Sequence, residues 1–104
     1  MTYSTPQDRQ SFILSLPIAI GEIIRLIEQN ASNQEGEQLV QFVVSFLHPD
    51  MVCSLSLLNS LEDSSKTAVE KFFQYALGEG LDPLLSAQLY DFLTPHLLGQ
   101  FRVR

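Results

Sequence analysis

Five prolines divide this 104-residue chain, and each stands where a helix would begin: Thr5-Pro6, Leu16-Pro17, His48-Pro49, Asp82-Pro83 and Thr94-Pro95. Proline is tolerated in a first helical turn, because its missing N–H has no intrahelical partner there and its fixed φ suits a helix. Thr5, Asp82 and Thr94 are also good N-cap residues. The chain therefore reads as short helices joined by sharp corners. The pattern Leu-x-Pro recurs at Leu47-His48-Pro49, Leu81-Asp82-Pro83 and Leu93-Thr94-Pro95, with each leading leucine placed to staple onto the helix it precedes.

The chain length fits one domain. Surface scaling gives roughly 17,000 Å² for the unfolded chain and about 6,000 Å² folded, enough burial for a core without metals or disulfides. The composition is 45% hydrophobic and 17% charged, rich in leucine and poor in strand-like alternation, which points to an all-α fold.

Spacing places the elements. A first helix follows Pro6 to about Ser15, with Thr5-Pro6-Gln7-Asp8 resembling a capping box. Pro17 restarts or kinks it, and a segment to about Glu28 carries a polar stripe of Gly21, Glu22, Arg25, Glu28 and Gln29. Ile18, Ala19, Ile20, Ile23, Ile24, Leu26 and Ile27 cover the rest, a wider apolar face than a surface helix needs. Asn30 to Gly36 is a loop. A helix over Gln34 to Leu47 follows, since Glu37, Gln38, Gln41 and Ser45 recur at helical rather than alternating spacing.

Further helices are expected from Asp50 to Leu61, from Ser65 to Leu77 with Gly78 as a left-handed terminator, and from Asp82-Pro83 to Leu93. Thr94-Pro95 opens the last, with Leu97, Leu98 and Phe101 inward. The fold expected is a compact orthogonal bundle of five or six short helices with proline-set corners.

Twelve acidic residues against six basic ones give a net charge of −6. Arg9, Arg25, Lys66, Lys71, Arg102 and Arg104 are scattered along the chain, so nothing clusters for counterion release from nucleic acid, and an anionic membrane is disfavoured by the same sign. The apolar run Phe12–Ile20 has no basic region before it and no small-x-small site after it, which argues against a signal peptide. Glu22 and Arg25 cut it too short for a membrane span. One cysteine, Cys53, leaves no internal disulfide to form. A cytoplasmic setting is expected.

No motif for chemistry stands out. His48, Asp50 and Cys53 form the one group with a nucleophile beside a base, but Asp50 opposes thiolate formation and the neighbours Met51, Val52 and Leu55 are apolar. His48 and His96 lack the spacing of a metal pair, and Tyr90-Asp91 with His96 reads as structural. Gly78-Glu79-Gly80 has neither the lysine nor the spacing of a phosphate loop. No catalytic residue, cofactor or metal is expected.

The two wide apolar faces are the unexplained part. Burying both in so small a domain is harder than burying one, so a second subunit, another protein or a ligand is expected to cover the surplus. The residues expected at such an interface or ligand face are Phe12, Leu16, Ile20, Ile24, Ile27, Phe42 and Phe46. The function expected is non-enzymatic protein–protein interaction, by a homodimer acting as an adaptor, regulator or assembly factor. The alternative is an apolar small molecule held in a cavity between helices 17–28 and 34–47.

Overall fold

The computed structural model describes residues 6–47 and 59–98. Over these residues it is an all-α bundle of five helices: α1 (Pro6–Ser15), α2 (Ile18–Gln29), α3 (Gln34–Leu47), α4 (Asp63–Gly78) and α5 (Pro83–Leu97). Among the described residues there is no strand. The accessible surface, 6333 Å², lies close to the scaling expectation. The radius of gyration of 12.8 Å and extents of 35 × 32 × 26 Å describe a body with no long axis.

Pro17 breaks the chain rather than bending a helix. Its φ of −53° and ψ of 148° are extended. The α1 end closes by the Leu16 N–H donating to the Ile13 carbonyl at 3.1 Å. The Pro17 carbonyl then accepts from the Ile20 and Gly21 amides and starts α2. From there α2 runs through the middle of the molecule, packing chiefly on α4 and also on α3 and α1, while α3 packs chiefly on α5. Ile20, Ile23, Ile24 and Ile27 have no exposed surface. Four β-branched residues are modest helix formers, so burial rather than propensity holds this segment helical.

The α2–α3 loop is wired by its own side chains. The Asn30 side chain donates to the Leu26 carbonyl at 2.8 Å, and its Oδ1 accepts from the Asn33 amide group at 3.0 Å. The Asn33 Oδ1 in turn accepts from the Gly36 backbone N–H at 3.0 Å, an N-cap for α3. A Cβ on Gly36 would lie 2.0 Å from the Asn30 carbonyl oxygen, so only glycine fits there. The helix starts at Gln34, as its spacing predicts, and runs through Leu47, the last residue described before position 59.

Three sequence expectations need correction. The α4 helix starts at Asp63, not Ser65, because a tertiary bond sets its start: the Glu62 N–H donates to the Glu35 Oε2 at 3.0 Å and the Glu62 carbonyl accepts from Lys66. Ser65 is buried in the first turn. Gly78 is the last helical residue, and the left-handed position falls at Gly80, φ +80°. There the Glu79 and Gly80 amides both reach the Tyr75 carbonyl.

The third correction concerns Pro95, which opens no helix. Asp82 and Pro83 do start α5 as expected, with the Asp82 carboxylate accepting from the Leu85 N–H at 2.8 Å. The helix then continues through Thr94 and Pro95 to Leu97. Proline costs most in a helix interior; here it falls in the last turn, where the Leu98 N–H still reaches the Thr94 carbonyl at 3.0 Å. Thr94 turns its hydroxyl to the Tyr90 carbonyl at 2.8 Å rather than capping a new helix. Leu93 accordingly lies in the core inside α5 and precedes no corner.

The helix expected from Asp50 to Leu61, together with Pro49, His48 and Cys53, falls largely outside the described residues. Its described end is a 3₁₀ turn at Asn59 and Ser60 leading to buried Leu61. The Ser60 hydroxyl donates to the buried Gln38 side chain at 3.2 Å.

Candidate functional site

Arg9, Glu28 and His96 form the densest polar cluster described. The apolar positions Phe12 and Ile13 of α1, with Leu16 just past its end, put Arg9 on the same face one turn earlier, so it points inward and is 6% exposed. Its Nε donates to Glu28 Oε1 at 2.7 Å and its Nη2 to Glu28 Oε2 at 3.0 Å, a bidentate pair between α1 and α2. The same Nη2 donates to the Phe92 carbonyl at 2.9 Å. The guanidinium carbon also lies 3.7 Å from the centroid of the Phe92 ring, a cation–π contact.

One turn along α1, Phe12 stacks on that same ring with centroids 4.9 Å apart. Two residues of α1 thus grip one residue of α5. Because α5 continues through Pro95, His96 sits one turn beyond Phe92 on the buried side, and its Nε2 meets Glu28 Oε2. Arg9 and Glu28 are 19 residues apart, and Glu28 and His96 are 68 apart. The chain sequence gives no local sign of their meeting.

Burial alone pushes the Glu28 carboxyl pKa up. Hydrogen bonds from His96 and Arg9, with the charges behind them, outweigh it and bring the pKa down to about 2. A general base works best with a pKa near the ambient pH. Glu28 is far from that, and what the cluster does in the fold is tie three helices together.

The cluster separates two concavities. One, of about 500 Å³, lies between α1 and α2: Arg9 and Glu28 form its floor, Pro6, Ile13 and Ala31 its apolar lining, and Gln10, Arg25 and Gln29 its polar rim. The other, of about 350 Å³, lies between α3 and α5 and includes Gly36, Glu37, Val40, Gln41 and His96. Neither lies between α2 and α3, which pack on each other directly.

The seven residues of the expected interface face lie mostly inside the single chain. Ile20, Ile24 and Ile27 are fully buried, Phe12 and Phe42 nearly so, and Leu16 and Phe46 are half-buried against the core. The fold hides most of both wide helix faces without a second chain, by stacking α2 and α3 centrally between α1, α4 and α5; Ile18, at the start of the α2 face, stays exposed. Large exposed apolar side chains also occur away from these faces, at Leu14, Phe73, Leu77, Leu84 and Leu98.

Among the described residues no three His, Cys, Asp or Glu converge as a metal site, and no helix is long and apolar enough to cross a membrane. No family model, curated protein or solved structure matches the chain.

Proposed function

We propose that this chain works by binding protein chains through the outer face of α4, with a second copy of itself as the first partner, in the role of an adaptor, regulator or assembly factor. The observation that carries this reading is the pair Phe73 and Leu77. They stand one turn apart on α4 and are 45% and 72% exposed. The Phe46 ring, half-buried at the edge of the core, continues the same apolar strip, 6.0 Å from the Phe73 ring. Glu70, Lys71 and Gln74 surround it with exposed polar groups. Apolar anchors one turn apart with a polar rim suit helix-to-helix recognition, and a symmetric α4–α4 contact is its self-complementary form. The acidic balance and the single cysteine support a cytoplasmic setting for this activity.

Size-exclusion chromatography with light scattering over a range of concentrations tests the proposal. The native chain is expected as a dimer, and the double variant Phe73→Glu/Leu77→Glu as a monomer with an unchanged helical spectrum. A native monomer at every concentration removes the second copy as partner. A dimer that survives the double variant removes the α4 face. Substitutions at Ile20 or Phe42 would not discriminate, since both side chains are core.

A further inference from the structure

The concavity between α1 and α2 carries an inference independent of the α4 face. We propose that this groove binds a small organic monoanion, a carboxylate with a short apolar body. Its volume of about 500 Å³ falls in the range of small-ligand sites. Pro6, Ile13 and Ala31 supply its apolar lining, beside the paired Arg9 and Glu28 in the floor and Gln10, Arg25 and Gln29 at the rim.

The sign of the ligand follows from the charges. Arg25 on the rim is exposed, and among the described residues it makes no ion pair or hydrogen bond. Arg25 therefore differs from Lys71, which pairs with Glu22, and from Arg9, which holds Glu28. The Glu28 carboxylate in the floor is engaged on both oxygens, so its charge is offset within the protein and Arg25 leaves the groove net positive in a chain of net charge −6. A planar guanidinium matches a carboxylate in a two-point contact. A phosphate or dianion would bring a second charge toward Glu28 and is disfavoured. The amides of Gln10 and Gln29 can hydrogen-bond the carboxylate without adding charge.

The test is a titration of the full, ¹⁵N-labelled chain with octanoate below its micelle concentration, set against octanol and octylamine. Octanoate is expected to shift the Arg25 Nε–H and the Gln10 and Gln29 side-chain amides saturably, with octanol and octylamine each at least about tenfold weaker. Arg25→Gln is expected to weaken octanoate by about tenfold while leaving the helical spectrum and the oligomeric state unchanged. The proposal is overturned by equal responses to octanoate and octanol, by an Arg25→Gln chain that binds as before, by shifts that map to α4 instead, or by no saturable shift. Because the α4 proposal is read from oligomeric state and this one from shifts at α1 and α2, either can fail alone.

Discussion

Two sides of this molecule hold a helix in place by opposite means. On one side α4 meets α3 through aromatic rings: Phe72 lies 5.7 Å from Phe42 and 5.4 Å from Phe46, all edge-on. On the other, α1 is held to α2 and α5 by a bidentate ion pair, a cation–π contact and one ring stack. The aromatic side draws on burial, which is non-directional and indifferent to pH. The polar side depends on geometry and charge, and its partners lose more when one is removed than the cluster gains when all are present. A small domain can therefore be robust on one face and conditional on the other.

Cutting into the aromatic side should have the largest effect. Phe72→Ala, at a side chain with no exposed surface, is expected to cost about 4 kcal/mol in urea unfolding and to leave the acid sensitivity of the chain intact. Glu28→Gln comes next, at about 3 kcal/mol, because it strands the Arg9 charge in a site that is 6% exposed. A cost near zero for that variant would mean that Phe12 and the neighbouring apolar contacts hold α1 by themselves.

Acid titration separates the two sides directly. The Glu28 carboxyl is depressed in the folded chain, from 4.5 to about 2. Its contribution is therefore fully present above about pH 4.5 and is lost as the pH falls from there toward about 2. Allowing for its partial exposure, native stability should drop across that window by on the order of 2 kcal/mol more than the stability of Glu28→Gln. Parallel curves for the two proteins would remove the cluster as the acid-labile tie. The smallest effect belongs to the exposed pair between Lys71 and Glu22, 3.7 Å apart. Lys71→Ala should change stability by less than about 0.5 kcal/mol, in contrast to its buried counterpart.

The sequence was legible where the signal is local. The polar residues of α3 recur at helical spacing and Asn33 caps its first turn, so the helix and its start could be read from residues close by. Asp82-Pro83 is as plain. Legibility failed where a distant partner decides. Glu62 starts α4 because Glu35 receives its N–H, and a serine-rich turn cannot announce that.

Pro95 misled for the same reason that Pro83 informed: both follow a capping residue, but only one lies far enough from the end of a running helix to begin another. Breaking α5 at Thr94 also hid the polar cluster, because His96 falls on the face of Leu89, Phe92 and Leu93 only if the helix is continuous. A signal was available in α1, where Arg9 keeps the phase of Phe12, Ile13 and Leu16 and so had to point inward. As for the apolar surplus, the residue pattern marked which faces are buried but not by what. That depends on how α2 and α3 share the centre of the fold.

The contact of Arg9 with Phe92 has a topological consequence. It joins residues 83 positions apart, close to the full described span, and brings the first helix against the last. Among the described residues the chain thereby returns to α1 at its last helix. A nascent chain cannot close the cluster until α5 has been made, so the acid-labile tie is among the last contacts of the described fold that synthesis allows.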